Sequence, residues 1–165
     1  LTFLTSNSSA SMVERMRIIS DGGITFNGDT AAANALDDYE TGTWTPTVTQ
    51  GGSGLTTAGT AVYIKIGKFV HTSFYVTGFS STTTDSIKFG GLPFTTHNDA
   101  QTSGSVMWQN INIPTGRTQI VSYVPANNTE IRLYALGDNT TWHHVTGSNT
   151  GTSFNAIINI QYRIT

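Results

Sequence analysis

The stretch AVYIKIGKFVHTSFYV, residues 61–76, carries the strongest structural signal in this chain. Two runs rich in β-branched and aromatic residues flank the pair Gly67-Lys68, which is the spacing of a β-hairpin with a two-residue turn. We therefore predict strands at residues 61–66 and 69–76. The side chains that we expect to face the core of this hairpin are Ile64, Ile66, Phe69, Phe74 and Val76.

Shorter strand signals lie on both sides of the hairpin. Residues 43–49 alternate in the manner of a strand, with Pro46 marking an edge or a bulge. About eight strands in residues 41–165, separated by regular turns, indicate an antiparallel β-sandwich of the jelly-roll type. The strands predicted after the hairpin are residues 86–89, 105–113, 119–124, 130–136 and 154–164.

The composition is dominated by uncharged polar residues. The 165 residues include 29 Thr, 15 Ser and 12 Asn, whereas charged residues make up only 11%, against about 25% in ordinary soluble domains. Thr is β-branched and suits a pleated surface, so this composition favours an all-β fold. The net charge of −2 argues against a basic nucleic-acid-binding protein and against a polybasic protein of membrane surfaces.

Other features of the sequence exclude whole classes of site. Cysteine is absent, which excludes a disulfide framework, a thiolate metal site and a cysteine nucleophile. No apolar run approaches the roughly 18 residues that span a membrane, so we expect no membrane insertion. Residues 1–10 lack the pattern of a signal peptide, and because the chain starts at Leu1 rather than Met we expect a fragment or a processed product.

The charge changes sign along the chain, and we place a domain boundary near residue 40 on that ground. Residues 1–40 carry a net charge of −4, whereas residues 41–165 carry a net charge of +2. The first region is therefore predicted to be a separate segment with a linker, and the second region to be the β-domain.

The first region is predicted to contain two short strands. Residues 13–18 and 24–26 alternate as strands do, with a turn between them. These strands are too short and too few to close a core alone, so they need either a sheet of the second region or copies of themselves in other subunits. A run of small residues predicts a short helix near residues 30–38, with Asp29 or Thr30 as its cap.

No set of residues in the chain predicts catalysis. The Gly-x-Ser-x-Gly pattern of a nucleophile elbow is missing. A glycoside hydrolase needs two closely spaced carboxylates, and the second region offers few acidic residues, most of them in turn contexts. These acidic residues are Asp85, Asp99, Glu130 and Asp138. We therefore predict no catalytic residue, no cofactor and no enzyme activity.

No metal-binding pattern connects the four histidines, which are His71, His97, His143 and His144. His143 and His144 are adjacent, so on a strand they point to opposite faces and cannot both bind one ion. In a symmetric trimer, one inward histidine per chain would supply three ligands on the axis, and this alternative stays open. We assign no metal site.

Trp142 is the residue best suited to contact a ligand. Trp44 and Trp108 lie within predicted strands and are expected to be packed, whereas Trp142 lies among turn-forming polar residues. An aromatic ring in such a loop can stack on a sugar while neighbouring polar groups hydrogen-bond its hydroxyls. The alternative is that Trp142 is a packed strand residue. The candidate receptor-binding residues are Asp138, Asn139, Trp142, His143 and His144.

Four short segments occur in an order that resembles phage tail-fibre and fibre-like virion proteins. The first is ERMRI at residues 14–18, followed by SDGGI at residues 20–24. The others are DYETGTWTP at residues 38–46, YIKIGK at residues 63–68 and GLPF at residues 91–94. The chain departs from the group's common pattern at Thr41, where Glu is usual, and at Lys68, where Asn is usual. Residues 95–165 carry no motif of the group.

This resemblance implies a homotrimeric virion appendage at the distal end of a tail fibre. Residues 1–40 would be the end of an intertwined β-shaft, and residues 41–165 a β-sandwich knob that meets the host surface. The implied partners are two further copies of the chain, the upstream fibre shaft and tail, and a host receptor, either a surface glycan or an outer-membrane receptor. The function expected is receptor binding during adsorption. The alternatives are a structural fibre or trimerisation cap without a ligand, and a polysaccharide depolymerase.

Overall fold

The structure, a computed structural model, describes residues 1–6, 11–52, 56–57 and 59–165. In this part of the chain the regular structure consists of fourteen β-strands and two 3₁₀ helices of three residues each. No helix among these residues has the length and apolar character needed to cross a membrane.

The chain divides into two compact units. One unit comprises residues 1–40 with 65–67, and the other comprises residues 41–64 with 68–165. The first unit contains a three-stranded antiparallel sheet. Its strands are β1 (Thr2–Ser6), β2 (Met12–Ile18) and β3 (Ile24–Phe26). The strands predicted at residues 13–18 and 24–26 are therefore confirmed.

The short helix predicted near residues 30–38 is confirmed only in part, as a 3₁₀ helix at Ala32–Asn34. The carboxylate of Asp29 accepts hydrogen bonds from the backbone N–H of Ala31 at 2.8 Å and from Asn34 Nδ2 at 2.7 Å. Asp29 thus closes a polar turn instead of capping an α-helix. Leu36 exchanges two backbone hydrogen bonds with Ile24, so the chain forms a β-bridge at this residue. The run of small residues before it is too short to offset the cost of nucleating an α-helix.

The remaining strands form one large antiparallel sheet. Its strands are β4 (Tyr39–Trp44), β5 (Thr47–Gln50), β6 (Thr56–Thr57), β7 (Ala61–Ile66), β8 (Phe69–Phe79), β9 (Lys88–Gly90), β10 (Thr102–Ile111), β11 (Gln119–Val124), β12 (Ile131–Leu136), β13 (His143–His144) and β14 (Thr150–Arg163), with a 3₁₀ helix at Gly147–Asn149. Along the sheet the strands follow the order β4-β7-β8-β14-β10-β11-β12-β9-β5, with β13 beside β12 and β6 beside β8. Strands β4 and β7 include residues of both units.

The large sheet curls over its own inner face, and a chain of aromatic rings shows this. Trp44 on β4 meets Phe74 on β8 edge to face at 5.1 Å between ring centroids, and Phe74 meets Phe89 on β9 at 5.8 Å. Phe79 continues the chain from Phe89 to Phe154 on β14, at 6.0 and 5.9 Å. All five rings are buried, so strands far apart in the sheet share one core. Trp44 is packed, as the sequence predicts.

Most of the predicted strands are confirmed. Those after the hairpin lie within four residues of the observed bounds, and β11 coincides with the prediction. The strand predicted at residues 43–49 is divided into β4 and β5 by Thr45 and Pro46. Proline has no backbone N–H for a sheet ladder, which explains the break.

The hairpin of β7 and β8 is confirmed, but three of its five predicted core residues are wrong. Ile64, Ile66 and Phe69 are exposed by 41 to 47%, whereas Phe74 and Val76 are buried. Side chains alternate along a strand, so Phe69 and Phe74 cannot face the same side.

The side chains of β7 alternate in exposure in the opposite sense to the prediction. Lys65 is buried and forms an ion pair with Asp38, whereas Ile64 and Ile66 are exposed. The hydrophobic residues at even positions of β7 are left on the outer face.

Candidate ligand-binding site

The loop after β12 is held against the turn that precedes β11. A Cβ on Gly137 would lie 2.0 Å from the carbonyl oxygen of Gly116, so only glycine permits this close approach. Arg117 Nη2 donates a hydrogen bond to the backbone oxygen of Thr141 at 3.0 Å. Asn139, at a φ of 47°, adopts the left-handed conformation that the turn requires. These contacts place Trp142, the next residue after Thr141, beside the outer face of the sheet.

Four rings form a cluster on that face, which we call the aromatic cluster: Tyr123, Tyr134, Trp142 and His144. Tyr134 is central, at centroid distances of 5.5 Å from Tyr123, 6.2 Å from Trp142 and 4.4 Å from His144. Strand pairing brings the rings together, because Tyr134 on β12 pairs directly with His144 on β13. Trp142 is 68% exposed, so most of its ring is free to meet a ligand.

The aromatic cluster borders a groove of about 250 Å³. This groove is smaller than the roughly 300–1,000 Å³ of pockets for drug-sized ligands, and its size suits one sugar residue. Tyr123 Oη donates a hydrogen bond to Gln101 Oε1 at 2.6 Å, which places an amide at the rim. The lining residues are Gln101, Thr102, Ser103, Val121, Tyr123, Tyr134, Leu136 and Trp142. The groove therefore combines apolar ring surfaces with short polar groups.

The surroundings of His144 favour the neutral form of its imidazole. Partial burial lowers its pKa from the ordinary value of 6.5, and the positive charges of Arg132, His143 and Lys88 lower this pKa further. Its Nε2 lies 3.3 Å from Tyr134 Oη, within hydrogen-bonding distance. His143 Nδ1 instead donates to the carbonyl oxygen of His144 at 2.8 Å.

The structure brings together only part of the predicted set. Trp142 and His144 lie in the aromatic cluster, and Trp142 lies outside any strand, so it is not a packed strand residue. His143 is exposed and bonded to backbone. The side chains of Asp138 and Asn139 are exposed and form no hydrogen bond with any residue that the structure describes.

Sequence reasoning missed Tyr123 and Tyr134, although a signal for both was present. Each lies beside a buried neighbour, Val124 in β11 and Leu133 in β12. Strict alternation along both strands therefore puts the two tyrosines on the outer face. Their proximity follows from the pairing of β11 with β12, which no local pattern shows.

Two of the four acidic residues considered for catalysis are paired with basic side chains. Glu130 lies 3.9 Å from Arg132, and Asp99 pairs with His97 and with Arg163 at 4.0 Å. Within the described ranges, no three His, Asp or Glu side chains are grouped so as to hold a metal ion.

A larger depression of about 960 Å³ lies elsewhere on the β-domain, and it is less suited to a sugar. Small hydroxyl-bearing residues and glycines dominate its walls, including Ser81, Thr83 and Gly52. None of its described lining residues is aromatic, so it offers no ring on which a sugar could stack.

No protein-family model, no curated protein and no solved structure matches this chain. What the chain binds is therefore inferred from its own residues.

Proposed function

We propose that this chain is the distal tip of a phage tail fibre, a homotrimer whose jelly-roll-like β-domain binds a host-surface glycan during adsorption. The exposed Trp142 ring beside a groove with an amide and hydroxyls at its rim carries this proposal. Such a surface offers a flat apolar face to the C–H side of a sugar and polar groups to its hydroxyls. The four ordered segments between residues 14 and 94 support a place on the virion.

The three-stranded sheet of the first unit supports the trimer. Phe3, Met16 and Phe26 pair across β1, β2 and β3, and they form an apolar row on one face. Phe3 and Phe26 are exposed within the single chain. A sheet this small needs further covering to be stable, and two more copies of the same segment would supply it.

A trimer also suits the small size of the groove. One sugar residue in an open groove is held weakly, but three linked sites that engage one surface raise the overall affinity by avidity. The proposed role is binding without catalysis, because Asp99 and Glu130 are already engaged in ion pairs.

A structural fibre or trimerisation cap is the second candidate. The exposed apolar residues of the first unit favour assembly whether or not a ligand exists. The two candidates differ in what the aromatic cluster does, so a variant at Trp142 separates them.

The test is binding of the fluorescently labelled full chain to a panel of bacterial strains. Trp142→Ala should lower the amount bound to the recognised strain by at least about tenfold, because each of three linked sites loses its stacking surface. Tyr39→Ala is the matched control, since Tyr39 is an aromatic residue 70% exposed and Trp142 is 68% exposed. Unchanged binding by a folded Trp142→Ala protein would contradict the proposed site, and binding to no strain would favour the structural role.

A further inference from the structure

A row of basic side chains lies beside the aromatic cluster. Tyr123 on β11 pairs with Arg132 on β12, and Arg132 pairs with Lys88 on β9. Directly paired residues of antiparallel strands project to the same face of the sheet. The next residues along, Ile131 and Phe89, are buried, so this row faces outward.

The basic row and the aromatic cluster are adjacent rows of one surface. Tyr134 and His144 form the next outward row, displaced by two residues along β12 from Arg132. Two residues of a strand span about 7 Å, which is the width of one sugar ring and its substituent. Tyr123 lines the groove and is the direct strand partner of Arg132, so the basic row begins one strand away from the groove.

The basic row keeps a net positive charge among the described residues. Arg132 pairs with one acidic residue, Glu130, at 3.9 Å, and its Nε is buried with no hydrogen-bond partner among those residues. Lys88 forms no ion pair with any residue that the structure describes. The charges of both residues act on His144 in the cluster, where they help to lower its pKa.

We propose that the groove binds a saccharide with an anionic substituent, its ring stacked on Trp142 and its carboxylate or phosphate held by Arg132 and Lys88. A planar guanidinium binds such a group through two parallel hydrogen bonds, and an ammonium adds a point charge. This inference rests on the proposed glycan-binding function and names the class of glycan.

The experiment is an NMR titration of the ¹⁵N-labelled full chain, followed at the indole N–H of Trp142. The probes are methyl β-glucuronide and methyl β-glucoside, which differ only in the carboxylate at C6. The glucuronide should bind at least about tenfold more tightly, and the difference should shrink as salt is added, because salt screens the charges. Glucose 6-phosphate, compared with glucose, shows whether phosphate serves as well as carboxylate.

Variants identify the groups that hold the anion. Arg132→Gln should reduce the affinity for the glucuronide towards that for the glucoside, because only Lys88 then holds the anion, and it should leave the glucoside affinity unchanged. Lys88→Gln should also lower the affinity for the glucuronide, and it removes no ion pair with a residue that the structure describes. Lys68→Gln, which removes the same charge from the exposed hairpin turn, is the matched control and should change neither affinity.

The results separate this inference from the proposed function. Equal affinity for the two glycosides, with binding still dependent on Trp142, would overturn the anionic class and leave the glycan-binding tip in place. The inference is also overturned if no probe shifts the Trp142 signal, or if Lys68→Gln acts like Arg132→Gln. Loss of cell binding in Trp142→Ala, measured separately, decides the fibre-tip function.

Discussion

Phe74 occupies the middle of the aromatic chain that fills the core. It contacts Trp44 on one side and Phe89 on the other, both edge to face, and it is 3% exposed. Ile64, on the neighbouring strand of the same hairpin, faces the outer surface. These two residues therefore report separately on the two faces of the sheet.

Phe74→Ala should lower the free energy of unfolding by about 3–5 kcal/mol, because it removes buried contacts and leaves a cavity. Ile64→Ala, the control, should lower it by less than about 1 kcal/mol, as expected for an exposed position. Denaturation in urea measures both values. A similar loss in the two variants would mean that the faces are assigned wrongly.

The protonation of His144 should make stability depend on pH. Its pKa in the folded protein lies below the unfolded value of 6.5, so folding disfavours the charged form. The stability linked to the neutral form is present above pH 6.5 and is lost as pH falls through the lowered folded-state pKa. In His144→Asn, the fall in melting temperature between about pH 7.5 and about pH 5 should be smaller than in the wild type. Identical falls would contradict this assignment.

Among individual residues, the sequence predicts the loop position of Trp142 but not its neighbours. A tryptophan among turn-forming residues is recognisable locally. Tyr123 and Tyr134 are eleven residues apart in the chain and pair diagonally across β11 and β12. Arg132 and Lys88 meet across a still longer separation, so the charge of the site also depends on pairing that no local pattern encodes.

At the scale of elements, β10 lies between β14 and β11, and the lack of a side chain at Gly104 allows the three strands to approach closely. A Cβ on Gly104 would lie 2.1 Å from the backbone oxygen of Asn159 and 2.7 Å from Ser122 Oγ. The neighbouring Ser105 is exposed. The three strands can thus approach closely only where β10 has no side chain.

Gly104→Ala should therefore lower the free energy of unfolding by about 1–3 kcal/mol, because the added methyl group forces the strands apart. Ser105→Ala, one residue away on the outer face, should change stability by less than about 0.5 kcal/mol. Thermal denaturation compares the two. An unchanged melting temperature in Gly104→Ala would show that the strands are not packed as closely as described.

Strand positions follow from alternation, but the direction in which a strand faces depends on its partner. On β7, Lys65 is buried and Ile66 is exposed. Hydrophobicity alone predicts the opposite face. The sequence alone allows a better prediction. In a hairpin with a two-residue turn, inward positions that are even-numbered on β8, such as Phe74 and Val76, correspond to odd-numbered positions on β7.

At the scale of the whole molecule, assembly is the property that remains to be measured. The apolar row of Phe3, Met16 and Phe26, in which both phenylalanines are exposed, lies on a sheet of three strands. Light scattering of the full chain should give three chain masses. Replacing both Phe3 and Phe26 by Ser should shift the protein toward the monomer while the circular dichroism of the β-domain is retained. A folded wild-type monomer would contradict the trimer.

The curl of the large sheet is the feature least accessible from the sequence. Strand order depends on pairing between distant segments, and β14 inserts between β8 and β10 although it follows both in the chain. Composition and alternation predict an all-β fold, but neither specifies which strands become neighbours.

The place of β14 also governs when the protein can fold during its synthesis. β8 and β10 leave the ribosome before β14, the strand that pairs with both, has been made. Until then each has an unpaired edge to which strands of other chains can bind. The sheet can close only after Arg163 has been made, and closing it joins segments that are far apart in sequence, which is slow. Newly made chains therefore have a window for aggregation that ends with the arrival of one strand, and chaperones that shield strand edges would act in that window.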